Sequence, residues 1–464
     1  MILRITDGTT TVNLTGGTDD IYLTEDYVPR PLEVSVVEFT AESMRDGGEL
    51  VSATRRNVVE SVPLSLVGAS RTDILTAQHS LETLLEQAKN RQERGVGDPV
   101  YVEYRKADSG DVYRSELLRG TFEPGSRTAG EMWWDAASVE AVLAWERRWY
   151  WEGPESELSL SNGHGSGTGG VTVYNHDDAG HDNYVAISGS AVDGVVPAAV
   201  RLELENTYNV STRAYNLYVG HNVWSNPSSI TRILEGEDAA YGGSSSASAS
   251  SSGGYYQGVT WSGDAATYVL RFVLSTAMLN AYAGGWFRLL GRFATSPTGV
   301  KITPKVTFPS GVPLTVVSEL PEATLTSLRI QDLGVVQLPP WLRGETDLYP
   351  VDLTLYARKT GGGSFSLDFI QLTPMDGYHV LIPRGYGASY GVTLIDDGIS
   401  GNVYTSGWGG TAKTGHYLSR GQQIQLWPGE DQRLCFLATG DTGGSDIART
   451  WSVRAYYRPR RLTL

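Results

Sequence analysis

The sequence predicts a mainly β fold: a β barrel or sandwich carrying one packed helix, followed by further β-sandwiches. Three observations carry this reading. The 464 residues include 54 Gly, 25 Tyr and 12 Trp but only 5 Met, a composition suited to turns and pleated surfaces. Apolar residues recur mostly with period two, in short runs closed by Gly, Pro, Asn or Ser. Only one stretch shows the 3.6-residue period of an amphipathic helix. At this length roughly two to four domains are expected. With 40% hydrophobic and 19% charged residues, apolar material for their cores is ample.

Taken in order, the front segment opens with short strands at 2–4 and 21–23 and a longer one at 32–39. Residues 43–55 are polar and contain Gly47-Gly48, the make-up of a long hairpin arm or loop. Residues 58–67 alternate again as a strand. The helix follows. Ser70 or Thr72 can cap it, and Ile74, Leu75, Leu81, Leu84, Leu85 and Ala88 form its apolar stripe. Arg91 and Arg94 suit its carbonyl end, and Gly95 stops it. Strands at 100–104, 112–122 and 138–151 complete the segment.

A Gly/Ser-rich stretch at 161–170 marks a boundary or a long exposed loop. Strand signals resume at 171–174, 184–187, 199–205 and 215–219. The tract 242–254 is nearly all Ser, Ala and Gly, so it is expected to bury nothing and to be mobile. Beyond it, β-length runs at 268–274, 286–293, 300–308, 325–333, 351–357 and 366–372 have the spacing of a jelly roll. The last runs are 392–395, 423–427, 433–437 and 451–457.

The formal net charge is −15. A surface that grips nucleic acid through its phosphates needs clustered Lys and Arg. About ten of the excess negative charges fall before residue 154, so that region is expected to repel DNA. Cys435 is alone and, within Arg433-Leu434-Cys435-Phe436-Leu437, is expected to be a buried thiol. The start, Met1-Ile2-Leu3-Arg4-Ile5-Thr6-Asp7, has no secretion-signal pattern, and no apolar run is long enough to span a bilayer. Synthesis in a cytoplasm and no membrane insertion are expected.

The front segment leaves through Trp145-Glu146-Arg147-Arg148-Trp149-Tyr150-Trp151-Glu152-Gly153. Its layout of strands, polar arm, single helix, strands and aromatic exit resembles the N-terminal domain of siphophage distal tail proteins. Gly194-Val195-Val196-Pro197-Ala198-Ala199-Val200-Arg201-Leu202-Glu203-Leu204 resembles the start of that family's galectin-like sandwich. Leu394-Ile395-Asp396, Leu426-Trp427-Pro428-Gly429-Glu430 and Ser452-Val453-Arg454-Ala455-Tyr456-Tyr457-Arg458 resemble its end. The interval between these pieces resembles a carbohydrate-binding-module jelly roll. The likeness lies in Trp286-Phe287-Arg288-Leu289-Leu290-Gly291-Arg292-Phe293, Asp332-Leu333-Gly334-Val335-Val336-Gln337-Leu338-Pro339 and Phe365-Ser366-Leu367-Asp368-Phe369-Ile370-Gln371-Leu372-Thr373-Pro374.

The resemblance implies three domains: a tail-tube-like ring-forming domain at 1–154, a discontinuous galectin-like β-sandwich at 155–221 and 376–464, and an inserted jelly roll at 222–375. Two consecutive sandwiches divided near residues 309–313 are the alternative. The implied function is structural and not enzymatic. A homohexameric ring at the phage tail tip would join the tail tube protein to tail hub or fibre proteins. DNA would pass through its lumen without specific binding, and no cofactor is implied. A receptor-binding minor tail protein that recognises a host-surface glycan is the alternative, and a tail-associated polysaccharide hydrolase the third reading.

Few residues invite chemistry. Asn175-His176-Asp177-Asp178-Ala179-Gly180-His181-Asp182 could hold a divalent cation, but its His-x4-His loop matches no standard spacing, and a solvated turn is expected instead. No Gly-x-Ser-x-Gly elbow is present, and Gly361-Gly362-Gly363 joins two strands, so it is not a phosphate loop. Tyr255, Tyr256, Trp261, Trp286 and Trp341 could each present a flat face to a sugar. Tyr255, Tyr256 and Trp261 flank the Ser/Gly tract and are the candidate glycan contacts. Trp286 lies in an apolar run and is expected inside.

Overall fold

A computed structural model describes the chain except for residues 17–20, 32–33, 42–47, 107–109, 125–137, 178–179, 209–212, 224–232, 283, 309–315, 339–350, 376, 385–386, 407–412, 415–416 and 441–448. Trp341 therefore lies outside the described residues. The fold is mainly β, as the sequence predicts, and divides into two units. The first holds Met1–Glu155, Gly194–Val196 and Arg458–Leu464, and the second Ser156–Asp193 and Pro197–Tyr457.

In the first unit one antiparallel sheet runs in the order Thr11–Asn13, Ile2–Thr6, Tyr101–Arg105, Tyr113–Pro124, Ser138–Arg147, Val58–Val67, Ile21–Leu23. A bridge between Thr15 and Tyr22 draws its two edges together, so the path nearly closes as a barrel. Alternation sets its inner face: Val58, Val62, Leu64 and Leu66 are buried, as are Val139, Ala141, Leu143 and Trp145 on the neighbouring strand. The helix Arg71–Arg94 packs on that core through Ile74, Leu81, Leu84, Leu85 and Ala88. Leu75, expected in the stripe, is exposed, because it lies about 100° round the helix from Ile74.

Ser70 is the N-cap, in a capping box with Asp73, and Gly95 ends the helix in the left-handed region at φ 65°. Gly120 lets helix and sheet meet. A Cβ there would lie 2.6 Å from Leu85 Cδ2 and 3.0 Å from the Ala144 carbonyl. The expected strand 138–151 is broken after Arg147. Ser115 Oγ donates to the Arg148 and Tyr150 carbonyls, and the chain resumes at Trp151–Glu152, which pairs with Arg460–Arg461.

Among its described residues the second unit forms four sheets. One runs Ser156–Glu157, Thr450–Tyr457, Ala198–Asn206, Thr393–Asp397, Asn402–Ser406, Lys413–Thr414. The sequence motifs around Val200, Ile395 and Val453, far apart in the chain, are thus adjacent strands. Opposite lies a sheet of Gly165–Gly167, Leu160–Asn162, Tyr184–Ile187, Gln432–Gly440, Ala214–Val223, His379–Pro383 and Tyr417–Gly421. Leu160, Leu202, Val219, Phe436 and Trp451 fill the space between them. His379 Nε2 lies 2.6 Å from Asp396 Oδ2 across that space, both side chains buried. The Gly/Ser-rich stretch 161–170 makes a tight hairpin here and not a long loop. Cys435 is buried in the strand Gln432–Gly440.

The other two sheets come from residues 233–374. Ser244–Ala247, Tyr255–Trp261, Gly363–Pro374, Trp286–Phe293 and Ile330–Gln337 form one, with Ile233–Glu235 alongside. Thr267–Leu274, Val351–Arg358, Lys301–Thr307 and Val316–Glu319 form the other. Phe272, Phe287, Phe293, Leu353 and Phe365 lie between them. Strands from both sides of residues 309–313 share each sheet. A second helix, Thr276–Tyr282, was not legible in the sequence; it buries Met278 and Leu279.

The tract 242–254 departs from expectation. Ser244–Ala247 is a strand, and Ser251 and Ser252 are buried. The reason lies far along the chain. Asp368 accepts the Ser252 N–H at 2.9 Å, and Arg292, paired with Asp368, donates to the Ser250 carbonyl at 3.1 Å. Glu235 accepts from Ser252 Oγ at 2.8 Å.

Candidate functional site

In the first unit the most constrained polar group is Glu60, on the inner face of Val58–Val67. It and Arg147 are 2% and 1% exposed. Arg147 Nε and Nη2 reach the Glu60 carboxylate at 3.0 and 2.9 Å, a two-pronged pair. Tyr27 Oη and Trp145 Nε1 donate to the same carboxylate at 2.8 and 2.9 Å, and the Arg30 N–H at 2.7 Å. Burial, with the Glu60 charge beside it, holds the Tyr27 hydroxyl far above the usual phenol range. Arg147 also donates to the Arg30 carbonyl at 3.1 Å and lies 4.3 Å over the Trp151 ring.

This knot clamps residues 27–30, which lead directly to a two-stranded hairpin, Val34–Ala41 with Gly48–Arg55. Among the described strands those two pair only with each other. The expected polar arm is thus a hairpin; its tip, 42–47, lies outside the described residues.

The sheet face turned away from the helix carries Thr121 and Glu123 on one strand, Glu140, Val142 and Glu146 on the next, and Val59, Ser61 and Ser65 on the third. Arg119 lies 2.6 Å from Glu146 within this strip, and farther along the same face Arg4 and Arg114 flank Glu103. The strip is net negative.

The candidate glycan contacts separate. Tyr255 is 48% exposed and Tyr256 half-buried, side by side opposite Ala247 and Ser246. Trp261 stands at the far end of the same seven-residue strand, roughly 20 Å away. It is only 7% exposed, with Phe365 at 5.9 Å between ring centroids. Trp286, expected inside, is 55% exposed. The two tryptophans exchange their expected places. By alternation Tyr255 and Trp261 lie on one side of their strand, at its two ends, and Tyr256 on the other. A different trio, Tyr241, Tyr268 and Tyr356, gathers on the sheet Thr267–Leu274, Val351–Arg358, Lys301–Thr307. Sequence reasoning missed it because its members are far apart in the chain.

In the histidine loop the His176 and His181 rings lie 4.1 Å apart, and Tyr174 is 4.6 Å from His181. Asp182 accepts the Gly163 N–H at 2.7 Å and lies 3.6 Å from His164. Among the described residues no group of three or more His, Cys, Asp or Glu side chains is arranged to hold a metal. No helix among them is long and apolar enough to cross a membrane.

No protein-family description matches the chain. No curated protein matches it significantly. Solved structures similar to it include the Dit (gp 19.1) protein of phage SPP1, described as a paradigm of the hub adsorption apparatus in phages infecting Gram-positive bacteria. That likeness has 10% identity, covers 99% of this chain and 99% of that one, and has a TM-score of 0.34. The phage P2 baseplate in its activated conformation, with Ca or with Sr, is similar at 11% and 10% identity. Each covers 78% of this chain and 98% of its own, with TM-scores of 0.29 and 0.28. Likeness this distant fixes no function.

Proposed function

We propose that the chain is a non-enzymatic structural subunit of a phage tail tip, a distal-tail-like adaptor that closes into a homo-oligomeric ring, a hexamer in the family it resembles. The observation that carries this reading is the hairpin Val34–Ala41 with Gly48–Arg55. Among the described strands both keep open edges, and the buried Glu60–Arg147 knot fixes the hairpin's root. A strand edge without a partner is a template for pairing with another chain. When the same edge is repeated head to tail, closure gives a ring. The net-negative sheet face then suits a lumen through which DNA passes without sticking. The tail tube protein on one side and hub or fibre proteins on the other are the partners this reading assigns, and the virion is its location.

In this reading residues 155–221 and 376–464 form the galectin-like sandwich and 222–375 an inserted module. The support is proximity: at Gly220 a Cβ would lie 2.2 Å from Thr373 Cγ2, and at Gly377 3.0 Å from His221 Cβ. The chain therefore leaves and rejoins the sandwich at one place, as an insertion requires.

The assembly reading is tested by deleting residues 45–54 and measuring particle mass in solution. The full chain is expected at a multiple of the monomer mass and the deletion variant at the monomer mass, still folded. A deletion variant that assembles as the full chain does removes the hairpin from the account.

A further inference from the structure

The strand Tyr417–Gly421 is the outermost of its sheet, and among the described strands its far edge has no partner. Tyr417 turns into the core of that sandwich, so Leu418 and Arg420 point to the opposite face. Their register partners on the next strand are Ile382 and Val380, and Val380 is paired in turn with Tyr218. This face is covered only in part. Tyr218 and Leu437 are buried against Leu290, Ile330 and Phe369 of the sheet that holds Trp286–Phe293. Toward the edge the cover ends: Val380 and Ile382 are half-buried, and Leu418 is 44% exposed.

The covering sheet emerges in the same way. Phe287 and Leu289 turn into its own core, which puts Trp286 and Arg288 on the side of Leu290. Arg288 lies 5.0 Å over the Tyr378 ring, and the Trp286 carbonyl accepts the Met375 N–H at 3.0 Å. Met375 and Val380 both pack against the buried cluster, whereas Trp286, at the end of its strand, is 55% exposed. Two sheet faces thus meet at Leu290 and Leu437 and part toward Trp286 and Leu418, with Met375 and Val380 at the root of the notch. Apolar side chains exposed singly are ordinary, but a group of them lining one notch marks an interaction site.

The charges around the notch are one-sided. Arg384, just beyond Ile382 in the chain, and Arg420 are exposed, and neither has an ion-pair or hydrogen-bond partner among the described residues. Arg288, on the other wall, is matched by Asp332. In a chain of net charge −15, open cations beside exposed apolar groups call for an acidic partner. A membrane surface fits poorly, since a bilayer reaches protruding side chains and not Met375 or Val380 at the root of a notch. We propose that this notch docks an extended, acidic segment of a partner protein, laid along the open edge of Tyr417–Gly421. Its large apolar side chains sit between Trp286 and Leu418, and its carboxylates pair with Arg384 and Arg420. Main-chain hydrogen bonds to the strand edge hold it, and alternate side chains give the specificity. This goes beyond the assembly reading, and neither needs the other.

The test titrates the full chain calorimetrically with a short synthetic peptide of alternating Leu and Glu. Counterparts replace its Glu by Lys or its Leu by Ser. The Leu/Glu peptide is expected to bind and both counterparts to fail. Leu418→Ala and Trp286→Ala should each weaken it by about tenfold. The double variant Arg384→Glu/Arg420→Glu should lose the Leu/Glu peptide and gain the Leu/Lys one, a reversal that a damaged fold cannot produce. Tyr255→Ala should change nothing. The chain lacking residues 45–54 should bind the Leu/Glu peptide unchanged, which keeps this outcome separate from the ring reading. Failure of the Leu/Glu peptide to bind, equal binding of its Ser counterpart, or binding that survives these variants overturns the proposal. So does a particle mass that falls in Leu418→Ala, which makes a second copy the occupant, or adsorption to phosphatidylglycerol vesicles that Trp286→Ala abolishes.

Discussion

Glu60 occupies a position where strand alternation calls for an apolar side chain, between the buried Val58 and Val62. Its charge is tolerated because Arg147, Tyr27, Trp145 and the Arg30 N–H all meet it. Removing one partner of such a pair leaves an uncompensated buried charge, a loss of roughly 3–5 kcal/mol. Arg147→Met should therefore lower the denaturation midpoint strongly. The double variant Glu60→Leu/Arg147→Met should lose less, and equal losses would show that the charge pair is not what holds this site. Glu235 makes the opposite case. Burial pushes its carboxyl up to about 8 from an ordinary 4.5, and only Ser252 Oγ offsets it with a hydrogen bond. The folded protein thus binds a proton that the unfolded chain has already released, so stability falls as pH rises from about 4.5 to about 8. Glu235→Gln should raise the melting temperature by an amount that grows through that window and levels off above it. A gain that does not change with pH would contradict this.

At the scale of elements, what was legible was periodicity. The helix could be read with its stop at Gly95 and its cap narrowed to Ser70 or Thr72, because such residues act within a turn of its ends; the structure makes Ser70 the cap. Many of the longer strands were legible to within a few residues, since alternation is local, but Tyr255–Trp261, His379–Pro383, Asn402–Ser406 and Tyr417–Gly421 were not. What depended on distant partners was not legible. The Ser/Gly tract is ordered by Arg292 and Asp368, which no window around residue 250 contains. The places of Trp261 and Trp286 depend on which face of each strand meets the core, and an apolar run around Trp286 cannot state that. The candidate site shared this limit: the arm was readable as a polar insertion, the tyrosine row not at all. Proximity of Gly220 to Thr373 supplies the element-scale test of the insertion. Replacing residues 224–372 by a short Gly/Ser linker should leave the flanking sandwich folded with a cooperative transition of its own. Complete loss of soluble protein would contradict an autonomous insertion.

For the whole molecule, composition argues against a nucleic-acid grip, and the net charge of −15 agrees with the proposed passage of DNA without attraction. Where that charge sits matters more than its total. Glu123, Glu140 and Glu146 share the face of the first unit's sheet turned away from the helix. Carboxylates there could line a channel or only coat an outer surface, and the two alternatives differ in how copies are arranged. The most direct measurement is an image reconstruction of the purified full-length protein at a resolution that places strands. The account predicts a closed ring of copies, with that sheet face lining an axial channel of neutral to negative potential. A monomer at every concentration, an open filament, or a channel lined mainly by Lys and Arg would contradict it.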